Sequence, residues 1–290
     1  MRQLTIVSGK GGTGKTTITA AFAALAKNHV MADGDVDAAD LHLILTPHIK
    51  REEEFYGGRA PSLDKDKCNE CGICMEVCRF EAIHDFAIDP ISCEGCGLCM
   101  HACPQEAIKM EEKFSGHWFI SDTRFGPMVH ARLGIAEENS GKLVTLVRQQ
   151  ARLIAEEENK DLIIIDGPPG IGCPVIASIT GVNLVLAVTE PTLSGIHDLE
   201  RVLGVAHHFN CPAMVCINKD DINPENARKI KDYCEDRNIE VVGEIPYDPV
   251  VTRAMVEGQT VVEYGSNVIT DIVRRMWERI KAKLQDGLKE

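Results

Sequence analysis

Positive charge is scarce in this sequence. Lysine and arginine number 31 against 44 aspartates and glutamates, a formal net charge of −13. That balance argues against a general nucleic-acid binder, which presents a basic face to phosphate. Long apolar runs are missing as well. The longest, such as Leu162–Ile165, are strand-length, so no membrane-spanning helix is expected. Met1–Ser8 reads as a strand and lacks the basic segment and small-residue cleavage site of a secretory leader. The ten histidines include no pair at H-x-x-x-H spacing. Together these absences make the cytoplasm the expected compartment, where thiols stay reduced.

What is abundant is cysteine, and it is unevenly placed. Eight of the twelve cysteines fall between Cys68 and Cys103, while Cys173, Cys211, Cys216 and Cys234 stand alone. In a reducing compartment such clustering points to metal ligation before disulfides. The block is also a repeat: CNECGICMEVCRFEAI (68–83) matches CEGCGLCMHACPQEAI (93–108) at an offset of 25 residues. Each half has the C-x2-C-x2-C-x3-C spacing of bacterial two-cluster ferredoxins, in which the fourth cysteine of each run serves the other cluster. Cys68, Cys71, Cys74 and Cys103 are therefore expected on one [4Fe–4S] cluster, and Cys93, Cys96, Cys99 and Cys78 on the second. Zinc sites prefer two separated C-x2-C pairs, which this doubled triplet does not resemble. Arg79 stands where a proline is common, whereas the second repeat keeps Pro104.

On either side of the block the pattern is α/β. Strands are expected at Leu4–Val7, His29–Ala32, Asp161–Asp166, Leu184–Thr189, Ala213–Asn218 and Val241–Ile245. Helices are expected at Lys15–Lys27, Leu143–Glu158 and Pro224–Arg237, where apolar residues recur at helical spacing. The expected fold is a mostly parallel P-loop sheet (residues 1–59 and 115–290) with a small α+β ferredoxin-like domain inserted at 60–114. The stretch Ser266–Leu288 reads as an amphipathic helix packed on the sheet, with membrane contact the less favoured alternative. The glutamate runs 52–54 and 156–158 read as solvated faces.

Gly9–Thr16, GKGGTGKT, fits G-x-x-x-x-G-K-[ST] between an expected strand and helix. In that context glycines let the backbone wrap a phosphate, Lys15 faces the β- and γ-phosphates and Thr16 ligates Mg²⁺. Gly9, Lys10, Gly11, Gly12, Thr13, Gly14, Lys15, Thr16 and Thr17 make up the expected nucleotide contacts. Phosphoryl transfer also needs a metal anchor and an acid that orients water, and Asp166 and Asp35 are the candidates.

The early lysine in KGGTGKT makes this motif resemble the deviant phosphate loop of the Mrp/MinD ATPase family, related to the nitrogenase iron protein. The resemblance covers most of the chain outside the cysteine block. It implies that Lys10 reaches across a dimer to the partner's nucleotide. It also implies that Asp35, in DGDVDAADLHL, helps position the attacking water, and that Asp166, in LIIIDGPPG, is the Walker B aspartate behind Mg²⁺. Asn218, in CINKDD, and Pro246, in GEIPYDP, would hold adenine. Asp33 and Asp37 are acidic neighbours without an assigned role. A homodimer, or a heterodimer with a related ATPase, is implied.

ATP hydrolysis coupled to iron–sulfur chemistry is the expected function, with a redox or iron–sulfur acceptor protein as partner. An ATP-gated electron carrier, an Mrp-like cluster carrier and a MinD-like positioning protein with redox-sensing clusters all remain open. The absence of a C-x-x-C after Cys103 weighs against the carrier. Cys173 is expected as a small, mostly buried residue at a helix start. A transient metal or cluster site at the dimer axis, or a redox-active thiol, is its alternative.

Overall fold

The computed structural model describes residues 1–134, 137 and 140–286. In chain order β1 (Arg2–Ser8) leads through the glycine-rich turn to α1 (Lys15–Leu25), β2 (His29–Asp33), α2 (Leu41–Leu45) and β3 (His48–Leu63). The cysteine block folds as α3 (Ile73–Glu76), β4 (Ile83–His84), β5 (Ala87–Ile88) and α4 (Leu98–Ala102). Then follow β6 (Ile108–Thr123), β7 (Gly126–Leu133), α5 (Ser140–Glu157), β8 (Leu162–Pro169), α6 (Cys173–Ile179), β9 (Leu184–Thr189), α7 (Leu193–His208) and β10 (Ala213–Asn218). A 3₁₀ turn at Asp220–Ile222 precedes α8 (Pro224–Glu235), β11 (Glu240–Ile245), α9 (Pro249–Val256) and α10 (Val268–Asp286).

The strands assemble in the order β11-β10-β9-β1-β8-β2-β7-β6-β3, and every pair from β11 to β7 is parallel. Parallel strands covered on both faces read as near-continuous apolar runs. Accordingly Leu4, Ile6, Val7, Ile163–Ile165 and Leu184–Leu186 are fully buried. Strand and helix expectations on both sides of the block are met within a few residues at their ends. The α/β, mostly parallel architecture is the one expected.

Three strands of the sheet, β3, β6 and β7, were not among those expected. β3 and β6 are each 16 residues long, and β3 (HIKREEEFYGGRAPSL) is exposed along most of its length. β3 buries Phe55, Gly57 and Pro61, β6 sets buried Trp118 beside buried Phe119, and β7 interrupts its apolar run with buried His130, so none shows a clean period-two apolar alternation. The glutamates of 52–54, expected as a solvated face, lie in β3 with Glu52 and Glu54 exposed and Glu53 half-buried.

The chain divides into two compact units. One comprises residues 1–52, 118–132 and the described residues from Ser140 onward. The other comprises residues 53–117 and the described part of 133–139. In the larger unit α10 lays Ile269, Val273, Met276, Trp277, Ile280 and Leu284 into the main core, with Trp277 5.2 Å from the ring of Phe22. Its apolar stripe is thus spent on packing; Leu288 lies outside the described residues. No helix among the described residues is long and apolar enough to cross a membrane. The smaller unit has its own core, Cys74, Ile83, Cys99 and Ile108. These are two residues and their counterparts 25 positions on, so the sequence repeat becomes a packed pair.

Candidate nucleotide site and cysteine unit

At the C-terminal end of β1 the chain turns through residues 9–14 into α1. Gly14 caps the helix at φ 88°, and no side chain or first-turn acid answers the helix's free N–H groups. Those donors and the helix dipole suit an anion. A Cβ at Gly14 would stand 2.3 Å from Asn218 Nδ2, so both the turn and its neighbour demand glycine. Thr13 is buried, and its hydroxyl has no hydrogen-bond partner among the described residues.

Lys15 and three acids converge here. Lys15 Nζ lies 3.2 Å from Asp35 and 3.5 Å from Asp166. Thr16 and Thr19 donate their hydroxyls to Asp166 at 2.7 and 2.8 Å. Asp33 is fully buried beside Asp166 in the paired strands β2 and β8, and it accepts the backbone N–H of Asp35 at 3.1 Å. Burial acts to lower the Lys15 pKa, but Asp166, Asp35 and Asp33 outweigh it and the net shift is upward. Burial, with the Asp166 charge, drives Asp33 well above the carboxylate range. Burial raises Asp35 too, against the pull of Lys15. Asp37, by contrast, is exposed.

A cavity of about 550 Å³ opens over the loop. Gly11, Gly12, Thr13, Gly14, Lys15, Thr16, Thr17, Asp35 and Asn218 line it. Asn218 also donates to the Thr13 carbonyl at 2.8 Å. Pro246 and Gly9 are not on its wall; Ile245, one residue before Pro246, is, together with Thr252 and Met255 of α9. Thr17 bonds Met255 Sδ at 3.3 Å.

Lys10 does not line the cavity. Its ammonium rests on Thr192 and Ser194 at 3.2 and 3.3 Å, and 3.7 Å from Glu190. Glu190 also pairs with Lys219. Glu190, Thr192, Lys219 and Thr19 were missed in the sequence; Thr19, one helical turn after Lys15, and Lys219, next to Asn218, stood close to the motifs, whereas nothing at local spacing ties Glu190 and Thr192 to the phosphate loop.

In the smaller unit the eight clustered cysteines border two separate hollows. Cys93, Cys96, Cys99 and Cys78 line one; Cys68, Cys71, Cys74 and Cys103 line the other. Gly72 and Gly97, at φ 79° and 76°, open the one-turn helices α3 and α4. The N–H of Ala82 donates to Cys78 Sγ at 3.3 Å, and that of Ala107 to Cys103 Sγ at 3.4 Å. Burial pushes up the thiols of Cys74 and Cys99. Among the described residues, no three His, Cys, Asp or Glu side chains converge on one ion-sized point.

The four isolated cysteines separate by burial. Cys211, Cys216 and Cys234 are buried, and burial lifts Cys216 far above the normal thiol range and Cys234 to about 11. Cys173, expected to be mostly buried, is exposed at the first residue of α6. The small residues around it, Gly172 and Pro174, start the helix without covering it.

Comparison with known proteins agrees with this architecture. The family model of the CobQ/CobB/MinD/ParA nucleotide binding domain matches residues 4–261. An uncharacterised protein of Methanocaldococcus jannaschii is 33% identical over 282 residues, 96% of each chain. The septum site-determining protein MinD of Buchnera aphidicola (subspecies Acyrthosiphon pisum) is 24% identical over 95% of this chain and 90% of its own. Among solved structures, Pyrococcus horikoshii MinD complexed with Mg-ADP superimposes with a TM-score of 0.59 at 20% identity, covering 100% of this chain and 98% of that one. A Cyanothece McdA(D38A)–ATP complex gives 0.56 at 17% identity, over 98% and 96%. The chain therefore belongs to the CobQ/CobB/MinD/ParA family of nucleotide-binding domains, as a MinD/ParA-type P-loop protein.

Proposed function

We propose that this chain binds and hydrolyses Mg²⁺-ATP and carries two [4Fe–4S] clusters in a ferredoxin-like insertion, with nucleotide turnover governing electron transfer. The observation that carries the iron–sulfur part is the pair of hollows. Each is lined by three cysteines of one repeat and the last cysteine of the other. A cubane takes four thiolates, each on a different iron, whereas zinc needs all its ligands at one point. Cys68, Cys71, Cys74 and Cys103 would hold one cluster, and Cys93, Cys96, Cys99 and Cys78 the other. Bound clusters would supply one-electron storage. The N–H groups of Ala82 and Ala107 would stabilise the thiolates of Cys78 and Cys103.

For the nucleotide, the unanswered N–H groups of α1, the unpartnered Thr13 hydroxyl and the Lys15 ammonium form one anion-seeking surface. The Thr16 proton is committed to Asp166, which leaves the hydroxyl's lone pairs for Mg²⁺ and gives Asp166 its place behind the metal. Phosphate entering the loop draws Lys15 from Asp35, and the freed carboxylate can then orient water. MinD of Pyrococcus horikoshii was solved with Mg-ADP and McdA with ATP, which supports the nucleotide assigned here. Asn218 and the Ile245–Pro246 turn would frame the base. Lys10 would act in a dimer, homomeric or with a related ATPase. The absence of a C-x-x-C after Cys103 ranks electron transfer ahead of cluster delivery.

The test is anaerobic purification with iron, sulfide and zinc analysis, followed by ATPase assay and EPR of the reduced protein with and without ATP. Eight iron per chain, ATP turnover and a nucleotide-dependent cluster signal or transfer rate are expected. Stoichiometric zinc without iron would overturn the cluster reading; absence of ATP binding would overturn the other half.

A further inference from the structure

The two hollows of the cysteine unit are built from repeats 25 residues apart, so most wall residues on one have a counterpart on the other. The cysteines obey that symmetry. Cys71 and Cys96 are twins and both are exposed; Cys74 and Cys99 are twins and both are buried. Their surroundings break it. Phe80 and Leu98 line the hollow of Cys93, Cys96, Cys99 and Cys78, and they are 41% and 49% exposed. Ile91, two residues ahead of Cys93, is 78% exposed. The corresponding positions around the first hollow are Gln105 for Phe80, Ile73, only partly exposed, for Leu98, and Asp66 for Ile91.

Single exposed apolar residues are ordinary, but several together mark a contact surface. Phe80 and Leu98 line this hollow as exposed apolar residues, whereas Leu63, Ile73 and Phe86 at the other are half-buried. Residues 53–117 hold thirteen aspartates and glutamates against six lysines and arginines. Glu94 stands exposed on the same wall, and Phe80 is flanked in the chain by exposed Glu81 and exposed Arg79, so the acidic excess belongs to the unit as a whole. An apolar centre set in acidic surroundings matches a partner with the reverse charge.

We infer that the wall carrying Phe80 and Leu98, with exposed Ile91 just ahead of Cys93 in the chain, is the docking surface for a basic redox protein, and that electrons leave this chain through the second-repeat cluster rather than the first. The inference rests on the cluster reading proposed above. The exchange is one electron from a reduced cluster to the partner's oxidised centre, with no proton or group moved. Such interfaces are small, below about 1,200 Å² of buried surface. Charge therefore sets encounter, and the apolar rim sets which face is met.

The probe is oxidised cytochrome c, a basic one-electron acceptor, used with the anaerobic holoprotein. Its dissociation constant is measured by calorimetry at low ionic strength, and its reduction by stopped flow after dithionite reduction of the holoprotein. Phe80→Gln with Ile91→Asp writes the residues found around the first hollow into the corresponding positions around the second. The expected result is a rise in dissociation constant and a fall in second-order rate of roughly tenfold each, with iron content and EPR spectrum unchanged. Leu98→Gln alone, at an exposed helix position, should move both in the same direction by a smaller factor. Ile73→Gln, on the other wall, should leave both within about twofold. Equal sensitivity at Ile73, or no effect of the double variant on binding, overturns the assignment of the face. So does a rim that proves to join two copies of this chain, seen as a variant that shifts sedimentation but not cytochrome affinity. A wild-type protein without iron fails earlier and for a different reason, since it removes the cluster reading itself.

Discussion

Lys15 sits between Asp35 and Asp166 with its charge already answered, so a phosphate gains its hold by exchanging one set of anionic partners for another. Lys10 is held elsewhere, on Thr192, Ser194 and Glu190. The two lysines of one motif should therefore fail differently. Lys15→Ala should abolish nucleotide binding or weaken it roughly a hundredfold, because it removes a charge facing the phosphates. It also leaves Asp166 buried without its cation. Lys10→Ala should bind ATP nearly as well as wild type but lose ATP-driven dimerisation and most turnover. Asp35→Ala should bind and turn over poorly. Titration calorimetry, sedimentation and phosphate release separate the three. Equal binding losses for the two lysines would show that both act within one chain. This part of the site was legible, because Lys15, Thr16, Asp35 and Asp166 fall in short motifs whose residue types the chemistry dictates. Glu190 was not, because it meets Lys10 and Lys219 only where strand ends come together in space.

The same contrast holds for whole elements. Central strands and α10 announce themselves by apolar runs and helical period, since each buries a face. β3 and β6 mix buried and exposed positions irregularly, with polar or glycine residues at several buried ones, and gave no such signal. Nor did the histidine count disclose His29, which opens β2 fully enclosed, with neither ring nitrogen hydrogen-bonded among the described residues. Burial, aided by Lys160, lowers its pKa to about 4; burial and His42 do the same for His130, which bonds Ser121 at 2.9 Å. The unfolded chain protonates these rings near 6.5 while the folded one resists until about 4. Stability from them is complete above the higher value and lost as pH falls through that window, at about 1.4 kcal/mol per unit for each ring. His29→Leu should therefore narrow the gap between denaturant midpoints read at pH 7.5 and pH 5. A gap as wide as that of the wild type would mean that His29 is neutral in neither state's favour and that acid sensitivity lies elsewhere.

Across the whole molecule, chain order and spatial order part company most in the cysteine unit. The eight clustered cysteines were legible as two runs and their crossing was an expectation from spacing, and residue differences such as Phe80 against Gln105 were readable once the repeats were aligned. What the sequence did not give is which of those side chains line the hollows and stay exposed. The crossing has a consequence that a pair of independent halves would not share. Cys78 belongs to the first run but borders the hollow of Cys93, Cys96 and Cys99, and Cys103 does the reverse. If these are the cluster ligands proposed above, Cys78→Ala should cost iron from the site of the second repeat and spare the first. Cys103→Ala should do the opposite. Because the two environments differ, with Phe80 and Leu98 at one and Phe86 and Gln105 at the other, their reduced EPR signals and potentials should differ enough to be told apart. Each variant should therefore lose a different signal, with about half of the iron retained when reconstitution is complete. Loss of the same signal in both variants would mean that the last cysteine of each run serves its own repeat. The hollows would then be walls between clusters rather than their seats.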